Sequence, residues 1–337
     1  RIAWDEFHTG LQDRLLQVTR EYWELYYQRS LVLQKERNLE RARMIQSELE
    51  NRESIDALRS QVARAQAKVA SREAGLKRAS AGVRNAEARL RSLVNSPRLE
   101  ACDNLELLPG EAPHRDDLPI DLCYARQTAL ENRPEIDNLL AQIRAAAVRT
   151  KMAHNQVLPS LAIILEAYVN GLRGNSDLDR SFAQQFDTGA PSYTAGLALE
   201  MPIGNRRARA QLRQRRMELA KLYRELNAAM AELGAEVEVA LREVEVSHVE
   251  LVSRQAVLAA TQTEVDYLAQ RWRLMPGIDQ SASFLLEDLL NAEDRLVDEE
   301  QLTAAAEASY AVAQAELKRS LGMLVSRDRC HSPMVCN

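Results

Sequence analysis

The residues of this chain best suited to hold a metal or attack a substrate are its five histidines and four cysteines, and their spacing supports neither role. His8, His114, His154, His248 and His331 are scattered, and none pairs with a neighbouring His or Cys at the helical spacing a metal site uses. His331 beside Cys330 is the nearest approach, and it falls in the tail. No Walker-type or dinucleotide glycine loop occurs. The residues therefore point to a protein that is not an enzyme, with no catalytic residue, cofactor or metal expected. Cys102 and Cys123 lie in the linker, residues 96–133, and Cys330 and Cys336 in the tail. That even count fits two disulfides in an oxidising compartment or free thiols equally well.

Other charged residues stand where structure could give them work. Glu166 and Glu200 sit within alternating, strand-like runs. Arg52, Asp56, Arg271, Asp279, Glu287 and Asp288 cluster around two expected helix turns, where they could form interhelical ion pairs. Exposed pairs of that kind contribute about 0–1 kcal/mol each. Trp4, Trp23 and Trp272 fall within or beside helical seams, where packing is the better reading.

The elements around these residues are mostly long helices. With 46% apolar and 28% charged residues the chain is ordered, and 12 glycines, 10 prolines and 5% aromatics are few for a compact α/β enzyme. A net charge of −5 gives no reason to expect nucleic acid, although basic residues cluster at Arg206–Arg216. No run of apolar residues is long enough for a transmembrane helix. The sequence opens at Arg1 in mid-helix pattern with no signal-peptide layout, which reads as a truncated start.

Apolar residues recur at a seven-residue stride in four segments. Examples are Leu11, Val18, Leu25, Val32 and Leu39, then Val62, Val69, Leu76, Val83 and Leu90. The third segment runs from Leu212 to Trp272 and the fourth from Leu289 to Leu324. Such a stride implies a narrow seam and left-handed supercoiling against neighbouring helices. A helix continuous from Arg206 to Gln270 would be roughly 100 Å long, more than a globular core can use. The segments pair into two copies of one hairpin: Val18, Leu25 and Val32 match Val237, Val244 and Leu251, while Val62 and Val69 match Leu290 and Val297. The second copy carries about nine extra residues at its turn, where Met275-Pro276-Gly277 must break the helix.

Between the hairpins the texture changes. Ser96–Pro119 reads as loop or extended connection, Asp121–Leu130 as a short helix, and Asn132-Arg133-Pro134-Glu135-Ile136 opens another that runs to Val157. Two strands follow inside a proline-bracketed island, Pro159 to Pro202. Leu161, Ile163, Leu165, Ala167 and Val169 share one face of the first, and Tyr193, Ala195, Leu197, Leu199 and Met201 one face of the second. Such a hairpin cannot stand alone in water.

The order of these features resembles the TolC-type outer-membrane efflux protein family, over about residues 10–325. The resemblance rests on Asn132–Ile136, Leu158-Pro159-Ser160, Tyr193–Leu199, Pro202-Ile203-Gly204-Asn205-Arg206 and Asp288–Ala292, each loose alone but specific in sequence order. It implies a mainly α fold with long coiled-coil-like hairpins in two repeats forming an α-barrel. It also implies a homotrimer whose protomers each give four strands to one outer-membrane β-barrel. This sequence has two strands where four are expected, so it reads as the latter two-thirds of a family member.

Carried over by position, residues 1–95 are the first hairpin, 96–133 an equatorial linker, and 134–158 the helix leading to the barrel. Residues 159–203 are the barrel hairpin with an extracellular loop at 171–191, 204–325 the second hairpin and 326–337 a tail. Glu166 and Glu200 would face the lumen, and Pro159 and Pro202 would mark the change from strand to helix. The turns at Asn51–Leu58 and Arg271–Asn291 would form the periplasmic end that an adaptor protein opens. The function implied is a passive exit duct of a tripartite efflux or type I secretion system in a Gram-negative-type outer membrane. Its partners would be a periplasmic adaptor, an inner-membrane transporter and outer-membrane lipid. The tip pattern Val-Gly-Leu followed by Asp-Val-Leu is absent from the first hairpin, and the second keeps Asp288-Leu289-Leu290, which leaves the pump class open. A soluble coiled-coil scaffold or adaptor would also explain the seams, but would leave the strands without purpose.

Overall fold

The computed structural model describes residues 2–52, 59–100, 105–169, 191–201, 203–274 and 280–325. In chain order these form α1 (Ile2–Arg52), α2 (Arg59–Val94), α3 (Pro97–Glu100), α4 (Leu122–Asn132), α5 (Pro134–Asn155), β1 (Ser160–Tyr168), β2 (Ser192–Glu200), α6 (Arg206–Leu274) and α7 (Gln280–Ser320). The chain divides into two compact units. One holds Arg1–Asp137 with Ala229–Asn337, the other Asn138–Ala228.

In the first unit α1 packs against both α2 and α7. The seven-residue seams supply its interior: Leu25, Leu39, Val83, Leu90, Val244, Leu251, Leu296 and Leu317 are all buried. The C-terminal half of α7 is covered on nearly every side, which its run of buried alanines (Ala304, Ala306, Ala311, Ala313, Ala315) permits by letting neighbouring backbones come close. α6 instead buries a narrower stripe, Leu233, Val237, Leu241, Val244, Ser247 and Leu251, continued by Val265 and Trp272, with partly or fully exposed residues around it. Val62 and Leu290, matched between the two sequence copies, lie in the same apolar cluster.

The connection between hairpins is extended, as its prolines predict, but it begins with a helical turn that the sequence reading does not expect. Pro97 starts α3 where its missing N–H costs nothing, and the Ser96 carbonyl accepts from the Leu99 N–H at 2.9 Å. Further on, helix side chains satisfy the linker backbone. Arg29 donates to the Leu107 carbonyl at 2.7 Å, Arg91 to that of Leu105, and Tyr310 to that of Asp116 at 2.6 Å. Asp121 caps α4 by accepting from the Tyr124 N–H at 3.0 Å.

The Asn132-Arg133-Pro134 motif is a junction. Arg133, only 7% exposed, reaches Glu236 of α6 at 2.7 Å and the carbonyl of Arg319 in the last turn of α7 at 3.3 Å. Arg319 itself bonds to the same Glu236 and to Asp13 of α1. Gly322 ends α7 at φ +70°, and a Cβ there would meet the Asn132 carbonyl at 3.0 Å. Both the left-handed turn and the close approach demand glycine.

The second unit holds the strands and the helix segments next to them. α5 and α6 are tied here by Thr150, whose hydroxyl bonds the Ala146 carbonyl at 2.9 Å and the Arg215 carbonyl at 3.3 Å. The strands run as the alternation predicts, β1 antiparallel to β2.

Candidate membrane strand pair and helix tips

The register decides which side chains share a face. Leu161 pairs with Leu199, Ile163 with Leu197, Leu165 with Ala195 and Ala167 with Tyr193, so the odd-numbered residues of both strands form one continuous surface without a charge. Five of its aliphatic side chains are bare of protein: Leu161, Ile163, Leu165, Leu197 and Leu199 are 65–77% exposed. Covering each large apolar side chain is worth about 1.5–3 kcal/mol, so leaving this face in water is costly. Each strand has nine residues, which meets the roughly 9–11 that a tilted strand needs to cross a bilayer. Tyr193, on the same face near the start of β2, is also exposed.

The even-numbered face is different. It carries Glu166 opposite Thr194 and Glu200 opposite Ser160, with Ala162, Ala198, Gly196 and an exposed Ile164 between them and Tyr168 at the far end. All four of these paired polar residues are exposed.

At the helix end of the strands, Pro159 is exposed and Pro202 lies outside the described residues. The residue that organises this end is Asn205, which sequence reasoning quoted in a motif without giving it a role. Its φ of 29° follows Gly204 at φ 79°, and its side-chain amide donates to the Gln156 and Val157 carbonyls, each at 3.3 Å. Its own carbonyl accepts the Arg209 N–H at 3.1 Å, opening α6. One residue thus terminates α5 and starts α6. The only available signal was the Gly-Asn pair, two residues that tolerate positive φ.

Where α1 leads into α2 and α6 into α7, the candidate tip residues are only partly described. Asp56, Asp279 and the side chain of Arg52 lie outside the described residues, as do Cys102, Cys330, Cys336 and His331. Glu287 of α7 forms an ion pair with Arg64 of α2 at 3.3 Å, joining the two hairpins. Arg271 and Asp288 are exposed and make no ion pair among the described residues. Beneath them all four long helices meet in one apolar cluster that includes Leu49, Val62, Trp272, Leu286 and Leu289. Trp272 is 5% exposed, the packing role expected of it, whereas Trp4 is exposed and contacts Phe7.

One polar network near this cluster was not legible. Arg72 of α2 reaches Glu293 of α7 at 3.1 Å, Asp294 at 3.2 Å and the Asn38 carbonyl of α1 at 3.1 Å, and Lys68 also bonds Asp294. Further along, burial pushes the Glu300 carboxyl above its ordinary range, partly offset by Arg41, Arg37 and Lys35. In the other unit, a hydrogen bond from Arg215 holds the half-buried Glu218 below its ordinary range. No three of His, Cys, Asp and Glu converge as a metal site among the described residues. No described helix is long and apolar enough to cross a membrane.

No family model and no curated protein matches this sequence. Solved structures do. The outer-membrane channel OprN superposes with a TM-score of 0.72 at 20% identity, over 95% of this chain and 68% of that one. MtrE of Neisseria gonorrhoeae, an outer-membrane channel in its open state, gives 0.70 at 18% identity, over 96% and 69%. The outer-membrane protein VceC of Vibrio cholerae gives 0.68 at 18% identity, over 95% and 72%. This chain has the fold of the TolC-type outer-membrane channels and spans about two thirds of the length of each of them.

Proposed function

We propose that this chain forms part of the wall of an outer-membrane efflux duct, a passive conduit built from three copies. The observation that carries the reading is the bare, charge-free face of Leu161, Ile163, Leu165, Leu197 and Leu199, set in a chain with the outer-membrane channel fold. In a bilayer that face contacts hydrocarbon, and every strand backbone group must pair within a closed sheet. A two-stranded sheet leaves both outer edges open, so closure calls for further strands and further copies. Glu166 and Glu200, on the other face, would line the lumen.

The hairpin ends would form the periplasmic end of the duct, where Arg52, Asp56, Arg271, Asp279, Glu287 and Asp288 meet the adaptor or one another. The Arg64–Glu287 bridge and the Arg72–Glu293 network supply cross-hairpin contacts of the kind a closed end needs. An inner-membrane transporter would supply the energy.

The test is fractionation of the full-length product. It should sediment with outer membranes and run as a trimer until heated, and should give ion-conducting pores in planar bilayers. A monomer recovered entirely in the soluble fraction would instead support the coiled-coil scaffold reading.

A further inference from the structure

The strand–helix boundary carries a charge pattern that the duct does not require. No Asp or Glu stands between Glu200 and Glu218 along the start of α6, nor between Asp137 and Glu166 along α5 and the start of β1. Within this acid-free zone Arg206, Arg209, Arg213 and Arg216 recur at steps of three, seven and ten residues, which places them on one face of α6 within an arc of about 80°. All four are exposed and none makes an ion pair among the described residues, whereas neighbouring Arg215 is committed to Glu218 at 2.7 Å. On α5, exposed Arg144 and Lys151 repeat at seven residues beside exposed Val148 and Met152.

We propose that the Arg206–Arg209–Arg213–Arg216 face binds the anionic headgroups of phospholipids in the leaflet on the helix side of the membrane. The inference rests on the membrane reading of the strands. Three physical points support it. The stripe begins six residues after Glu200, the last residue of β2, so its first turn lies where a headgroup layer of about 5–7 Å borders the hydrocarbon. Side chains on a helix lean toward its N-terminus, which here is the strand end, so the guanidinium groups reach back toward that layer. Arginine also binds phosphate with paired N–H donors that a headgroup phosphodiester can accept. Attraction to an anionic surface decays within a Debye length, which confines the effect to residues this close to the bilayer.

The test uses the detergent-solubilised full chain offered equal parts phosphatidylglycerol and phosphatidylcholine, with retained lipid counted by native mass spectrometry. Phosphatidylglycerol should be enriched at least about fivefold, the factor roughly one basic residue supplies at an anionic surface. The R206Q/R209Q/R213Q/R216Q variant should lose the enrichment, the corresponding four-lysine variant should keep most of it, and a charge-matched R37Q/K77Q/R78Q/R84Q control should behave as wild type. Millimolar inorganic phosphate, matched in ionic strength by chloride, should leave the preference in place. Equal retention of the two lipids by wild-type protein that still inserts overturns the headgroup site alone. Loss of the preference in the control, or to inorganic phosphate, overturns it as well. Failure to retain either lipid or to enter a bilayer overturns this site together with the duct reading.

Discussion

Arg72 of α2 and Glu293 of α7 meet at 3.1 Å with both side chains almost wholly buried, although 221 residues separate them. The same guanidinium also donates to the Asn38 carbonyl and to Asp294, and at 7% exposure it has little access to solvent. Removing one member of a buried pair strands the other, at about 3–5 kcal/mol. Arg72→Ala should therefore lower the denaturation midpoint sharply, while Arg72→Met combined with Glu293→Leu should recover most of the loss. Lys68→Ala, whose partner Asp294 is 42% exposed, should cost under about 1 kcal/mol. Similar small losses for Arg72→Ala and Lys68→Ala would show that the buried pair does not hold the hairpins together.

The two faces of the strand pair should respond oppositely to charge. Leu197, paired with Ile163 near the middle of the bare face, faces hydrocarbon in the duct reading. Leu197→Arg should cost about 2–4 kcal/mol, the penalty for arginine near the midplane of a membrane barrel. Ala198→Arg, one residue along and on the opposite face, should leave assembly near wild type. Yield of heat-resistant oligomer in outer-membrane fractions measures both. Equal loss from the two variants would mean the faces are not lipid and lumen.

Asn205 offers a test of the strand–helix boundary. Asn205→Ala removes two side-chain donors from the end of α5 and places a Cβ residue with no polar group at positive φ, for a loss of about 1–2 kcal/mol. Asn205→Gly keeps the backbone geometry while removing the same donors, so the difference between the two isolates the φ contribution. Hydrogen exchange in the first turn of α6 should rise in both, and more in the alanine variant. Exchange unchanged in both would remove Asn205 from the organisation of this end.

What the sequence made legible follows from periodicity. A stride of seven locates Leu25, Leu251 and Leu296 in the interior, and a stride of two places Leu161 and Leu199 on one face, because backbone geometry imposes those periods locally. Val62 and Leu290, matched between the two sequence copies, share one apolar cluster. Contacts between residues distant in sequence were not legible. Nothing in the spacing of Arg72 singles it out from the exposed arginines around it, since its partners lie on other helices. Arg133 could be recognised as part of a motif, but not as the residue that joins Glu236 to the last turn of α7. The helical turn at Pro97 was missed because proline is ambiguous, breaking a helix from inside while favouring its first position.

Glu300 of α7 gives the chain a pH dependence of defined sign. Its Oε2 has no hydrogen-bond partner among the described residues, and neither do Nε and Nη2 of Arg41, so attraction between them is not reinforced by a bond. Burial is the largest influence on the carboxyl and raises its pKa, with Arg41, Arg37 and Lys35 opposing. The folded state therefore holds the proton more tightly than the unfolded one. Stability contributed by the protonated carboxyl is fully present below the unfolded value of 4.5 and is lost as pH rises through the higher folded value. Glu300→Gln mimics the neutral form at every pH. It should raise the melting temperature near about pH 7 and leave it unchanged near about pH 4, where the wild-type group is already protonated. The Gln34 amide bonds the backbone carbonyl of Glu300 at 3.1 Å, so the substitution leaves that contact intact. A variant less stable than wild type at neutral pH would mean that attraction to Arg41 outweighs the cost of burial.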